Sequence, residues 1–118
     1  MTLRSLQQAL AQFAVERKWE QFHTPKNLAM ALAGESGELL EIFRWLTPEQ
    51  STKVMQDSDR AVQVREEMAD VLAYLLRLAD ALDLDLEQAL VEKIEKNRRK
   101  YPVHLARGRA DKYTQLGG

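Results

Sequence analysis

Two pairs of acids, Glu35-x-x-Glu38 and Glu67-x-x-Asp70, stand on what should be the buried faces of two helices. No other feature restricts the fold of this chain so tightly. Three-residue spacing sets both members of a pair on one side of a helix. Leu28, Leu32, Leu39 and Ile42 share a stripe with Glu35, and Val64, Val71, Leu75 and Leu78 share one with Glu67. A carboxylate enters an apolar stripe only if a cation or hydrogen-bond donors compensate its lost hydration. The first stripe carries no lysine or arginine. A divalent metal held between two helices is the economical solution. Glu16, Glu20, Glu87, Glu92 and Glu95 lack this setting and read as solvated helix surface.

The 118 residues suffice for one domain with a modest core. A net charge of -1 and a pI near 6.1 argue against a general nucleic-acid binder, which would be clearly basic. The absence of cysteine excludes disulfides and thiolate metal sites. Met1 to Gln12 alternates polar and apolar residues without a signal-peptide block, and no stretch approaches the roughly 20 apolar residues of a membrane span. A cytoplasmic protein is expected.

Helical periodicity runs through most of the chain. Leu3, Leu6, Leu10 and Phe13 mark a first helix, with Thr2 as its cap and an end expected near Trp19. Thr24-Pro25 starts a second, a capping hydroxyl followed by proline at the first helical position. It should run to about Leu46, where Thr47-Pro48 interrupts it. Residues 47–60 are polar and read as a loop or short irregular helix. The third helix, about Arg60 to Leu82, is apolar around much of its circumference, which suits a central position or a subunit interface. Asp85 with Gln88 caps a fourth, which should continue to Tyr101 and stop at Pro102. A helical domain over 1–102 and an extended tail over 103–118 are therefore expected. Gly34 and Gly37 bracket Glu35 within the second helix. Each costs about 1 kcal/mol there relative to alanine, and close approach by another helix or a ligand would compensate.

Further groups suit an anionic ligand. Lys93, Asn97 and Tyr101 are spaced by four, forming a ridge on the fourth helix that can donate to phosphate oxygens. Tyr74 follows Asp70 by one turn. The neighbouring Lys96, Arg98, Arg99 and Lys100 need no ligand, because cations are favoured at a helix C-terminus. Trp19 and Trp45 flank the second helix at its two ends, and either ring could stack on a base, although a lone tryptophan is more often packing. His23 and His104 fall in segments expected to be non-helical and read as surface or structural residues.

Taken together, the segments RKWEQFHTPKNLAMALAGESGELLEIFRW (17–45), EEMADVLAYLLRLA (66–79) and KIEKNRRKYPVHLARGRADKYTQL (93–116) resemble the MazG-like all-α nucleoside-triphosphate pyrophosphohydrolases, most closely their dCTP pyrophosphatase branch. The resemblance covers most of the chain in the family's order. It implies an all-α, four-helix MazG-like bundle that assembles as a dimer or a dimer of dimers. It further implies magnesium-dependent conversion of a dNTP, dCTP or a modified dCTP in particular, to dNMP and pyrophosphate, which would cleanse the nucleotide pool. Carried over by position, Glu35, Glu38, Glu67 and Asp70 would bind Mg2+. Tyr74, Lys93, Asn97 and Tyr101 would contact the phosphates, and Trp19 and Trp45 would line the base pocket. Leu10 departs from the pattern, standing where animal relatives carry a histidine near the pocket, which bears on base preference.

Glu38 is the candidate for positioning or deprotonating the attacking water. Rival readings are a same-fold enzyme acting on dUTP, dATP or phosphoribosyl-ATP, and a non-catalytic helical interaction module. A di-iron carboxylate bundle would need Glu-x-x-His motifs, and the chain has none.

Overall fold

The computed structural model describes residues 1–108, and all of their regular structure is helical. Chain contacts divide the protein into two compact units, Met1–Asp83 and Leu84–Gly118.

The first unit begins with α1, Leu3–Glu16, whose cap Thr2 forms a reciprocal capping box with Ser5. α1 stops three residues before the expected Trp19. Lys18 adopts φ 56°, in the left-handed region. Trp19 N then donates to Ala14 O at 2.9 Å and Lys18 N to Val15 O at 3.1 Å, the paired bonds of a Schellman ending. The Phe13 and Trp19 rings meet edge-on at 5.7 Å, supplying the apolar contact that accompanies this cap. A 3-10 turn, Glu20–Phe22, leads to α2, Pro25–Phe43, capped by the Thr24 hydroxyl accepting from Asn27 N.

α2 ends before Leu46 because Thr47 opens a second capping box with Gln50 and starts the one-turn α3, Pro48–Ser51. Another 3-10 turn, Val54–Gln56, precedes α4, Ser58–Ala81. Asp57 caps α4 by accepting from the backbone N–H groups of Asp59 and Arg60. Beyond α4, Asp83 takes φ 52°.

α2 and α4 form the principal packing pair, and α1 also lies on α4. Two pairings give their direction: Glu35 meets Glu67, and Arg77 Nη2 donates to His23 Nδ1 at 3.4 Å. Residue numbers therefore rise along α2 as they fall along α4. Ala14, Leu28, Val54, Val64, Leu76 and Ala79 are the buried apolar residues among those described. Val62, Met68, Leu72 and Leu75 of α4 remain exposed, as its all-round apolar character foretells.

In the second unit, α5 spans Leu86–Lys100 and is capped by Asp85 accepting from Gln88 N at 3.0 Å. The chain does not continue from Pro102 as an extended tail. Leu105 N and Ala106 N both donate to Pro102 O, winding a single turn, α6, Val103–Ala106, which also makes His104 helical. Residues 109–118 of the expected tail lie outside the described residues.

Candidate functional site

The antiparallel pairing of α2 with α4 brings the two acid motifs together. Glu35, Glu38 and Glu67 each offer a carboxylate oxygen within 4.8 Å of the others. Glu35 and Glu67 are half-buried, whereas Glu38 is exposed. Oε2 of Glu35 and Oε2 of Glu67 are buried without a hydrogen-bond partner. The ion pairs among the described residues, Arg17–Glu16, Arg44–Glu41, Arg77–Asp80 and Arg98–Glu95, leave all four acids aside. Asp70 falls outside the group of three, but its charge is felt at both Glu35 and Glu67.

The crowding raises proton affinity. Glu35 is pushed up to about 7, first by the facing Glu67 carboxylate, then by burial and by Glu38 and the charge of Asp70. For Glu67 the facing Glu35 carboxyl acts downward, yet burial together with Glu38 and Asp70 outweighs it and the net direction is up. Like charges this close ionise together only when something positive joins them. An all-carboxylate set of hard oxygen donors with two orphaned oxygens suits Mg2+, Mn2+ or Ca2+ and does not suit a soft metal.

Gly34 and Gly37 do not make room for another helix among the described residues. Among the described residues a Cβ added at either would meet nothing within 4 Å, so they leave the surface beside the acids open.

The other expected site residues are distributed unevenly. Tyr74 is half-buried on α4, one turn beyond Asp70. Lys93 and Asn97 share a side of α5, whereas Tyr101 lies just past its end with φ -122° and ψ 68°. Trp19 and Trp45 stand beyond opposite ends of α2, whose 19 residues span about 28 Å. One copy of the chain thus does not bring the two rings onto one base. Trp45 is 77% exposed, with the Arg44 guanidinium 4.7 Å from its ring centroid. Leu10 is a half-buried residue of α1.

Two features are not announced by any motif. A hollow of about 460 Å3 at the C-terminal end of α2 is lined by Trp45, Leu46, Gln50, Lys53, Val54, Asp57 and Arg60. The turns between α2 and α4 assemble it, and sequence spacing carries no sign of their geometry. At the other end, Trp19 packs edge-on against His23 with ring centroids 6.4 Å apart. Burial and then the Arg77 charge hold the His23 imidazole below its ordinary proton affinity.

Residues 31–116 match the MazG-like family. The chain is 48% identical to dCTP pyrophosphatase 1 of Rattus norvegicus over 98% of its own length and 68% of that protein. It is 47% identical to dCTP pyrophosphatase 1 of Homo sapiens over the same shares. Among solved structures it resembles a pyrophosphatase from Archaeoglobus fulgidus, with a TM-score of 0.78 and 43% identity, covering 84% of this chain and 91% of that one.

Proposed function

The chain belongs to the MazG-like family, and from that premise we propose that it is a magnesium-dependent pyrophosphohydrolase converting dCTP, or a modified dCTP, to the monophosphate and pyrophosphate. The observation that carries this reading is the meeting of Glu35, Glu38 and Glu67 within 4.8 Å across α2 and α4 with two orphaned oxygens. Glu35, Glu38, Glu67 and Asp70 would hold Mg2+. When bound, the ion supplies charge neutralisation for the triphosphate and a lowered pKa for water.

The chain's own groups do the rest. Glu38 is the exposed carboxylate of the cluster, so it faces the side from which water enters and would orient that water or take its proton. The water oxygen bonds to the α-phosphorus as the anhydride bond between the α- and β-phosphates breaks, the water proton passes to Glu38 or solvent, and the pyrophosphate leaves with the bonding electron pair. Lys93 would offset the charge that develops on it. Tyr74, Asn97 and Tyr101 would donate to phosphate oxygens. Residues 1–102 would form the catalytic domain.

Trp19 and Trp45 would line the base pocket. Since α2 separates them, a pocket using both takes Trp45 from one copy and Trp19 from a second, which gives the exposed apolar residues of α4 a purpose in a dimer or tetramer. No helix among the described residues is long and apolar enough to cross a membrane. A cytoplasmic enzyme clearing unwanted deoxynucleotides is the corresponding setting.

Amide replacements test the assignment. Glu38→Gln and Asp70→Asn should each lower pyrophosphate release from dCTP by at least about 100-fold while helical circular dichroism stays intact. Normal turnover in either variant removes that residue from the site.

A further inference from the structure

The hollow beside Trp45 contains charged groups that neither the metal site nor the phosphate contacts employ. Lys53 and Arg60 both line it, and neither has an ion pair among the described residues. Asp57 lines it as well. Its Oδ1 is occupied by the N–H groups of Asp59 and Arg60, whereas no hydrogen bond to its Oδ2 occurs among the described residues. Trp45 adds a flat, exposed ring.

The position of the hollow is informative. Arg60 precedes Glu67 on α4 by seven residues, and Trp45 follows Glu38 on α2 by seven. Both intervals correspond to about 10 Å along a helix, and the antiparallel pairing sends them in the same direction. A nucleotide whose phosphates lie at the acids needs a comparable span for its sugar and base. The hollow is therefore placed at the base end of such a ligand.

Its polar groups form a pattern. Arginine and lysine are donors only, and an ionised aspartate is an acceptor only. The pairing edge of cytosine presents one donor, the exocyclic amine, and two acceptors, N3 and O2. Uracil and thymine present an acceptor, a donor at N3 and an acceptor. A guanidinium fork suits two adjacent acceptors, and it opposes the N3–H of uracil or thymine.

We infer that this hollow reads the base: Arg60 donates to N3 and O2 of cytosine, Asp57 Oδ2 accepts from its amine, Lys53 adds a second donor, and Trp45 carries the ring. The inference rests on the pyrophosphohydrolase reading above and makes Arg60 a specificity-determining residue.

The test compares pyrophosphate release from dCTP, dUTP and dTTP, with Mg2+, by the full chain and by Arg60→Met, which keeps most of the apolar stem. The wild type should favour dCTP. In the variant the KM for dCTP should rise and the dCTP-to-dUTP ratio of kcat/KM should fall about tenfold or more, as for loss of a bidentate base contact. Asp57→Asn keeps a capping oxygen but replaces the second acceptor with a donor, and it should narrow the same ratio.

An equal rise in KM for all three nucleotides would place these groups on the phosphate chain and overturn the inference, as would an unchanged ratio. Wild-type protein with 3-deaza-dCTP, in which C–H replaces the N3 acceptor, needs no variant to fold. It should behave as a poor substrate, and turnover equal to dCTP would likewise overturn the inference. If the wild type releases pyrophosphate from no nucleotide, the functional reading itself falls and takes this inference with it. Release with no base preference overturns the inference alone.

Discussion

Glu35 on α2 and Glu67 on α4 meet across the helix pair, each keeping one Oε2 buried and without a hydrogen-bond partner. In a metal-free protein the arrangement favours a bound proton, and a divalent cation would compete for the same place.

That competition has a definite sign. Glu35 is raised from 4.5 to about 7 in the folded chain, so the folded state binds its proton more tightly than the unfolded state does. Its contribution to stability is complete below pH 4.5 and is lost as the pH rises to about 7. Glu35→Gln keeps a neutral group at all pH values. Metal-free Glu35→Gln should therefore melt higher than the metal-free wild type at pH 8, with the difference shrinking toward pH 5. Mg2+ should raise the wild-type midpoint at pH 8 and raise the variant's much less. Identical melting of the two proteins across this range would contradict the electrostatic account.

Lys18 offers a stability test away from the chemistry. Its φ of 56° costs an L-residue with a Cβ about 1–2 kcal/mol, a penalty that glycine escapes. Lys18→Gly should stabilise the protein by about 1 kcal/mol, raising Tm by a few degrees. A lowered Tm would mean that the lysine side chain contributes more than its backbone costs.

Much of this molecule can be read along the chain. The acid pairs are legible because i, i+3 spacing among leucines and valines is a local signal, and Thr24-Pro25 and Asp85 with Gln88 are local as well. The Schellman ending at Lys18 is not, since glycine ordinarily marks that position and lysine gives no warning. The same limit applies to α6 after Pro102, where a proline that stops α5 also caps a new turn. The hollow at Lys53, Asp57 and Arg60 depends on how α3 and a 3-10 turn fold back, which no spacing rule describes. The family resemblance supplied what geometry alone does not, namely roles for residues such as Lys93.

Assembly is predicted from the outward stripe of Met68, Leu72 and Leu75, which are 56%, 43% and 36% exposed. Sedimentation at micromolar concentration should find a dimer or tetramer, and Leu72→Glu should shift the population toward monomer. A wild-type chain that sediments as a stable monomer would contradict both the interface and the shared pocket.

The shared pocket has its own signature. Trp19→Ala and Trp45→Ala should each weaken dCTP binding by about 1–3 kcal/mol of stacking, seen mainly as a raised KM. If the two rings come from different copies, subunit exchange between the variants leaves about a quarter of the pockets intact in a twofold dimer. The mixture should then recover tight dCTP turnover that neither variant has alone. Activity equal to the average of the two variants would place both rings outside a common pocket.

The acid cluster is expected to work as a metal-dependent centre for cleaving a nucleoside triphosphate between its α- and β-phosphates. Phosphorus NMR of a dCTP digest, with Mg2+ and with a chelator in its place, tests this most directly. The expected result is dCMP and pyrophosphate in equal amounts with Mg2+, and intact dCTP with the chelator. Orthophosphate in place of pyrophosphate, or equal turnover under both conditions, would contradict the account.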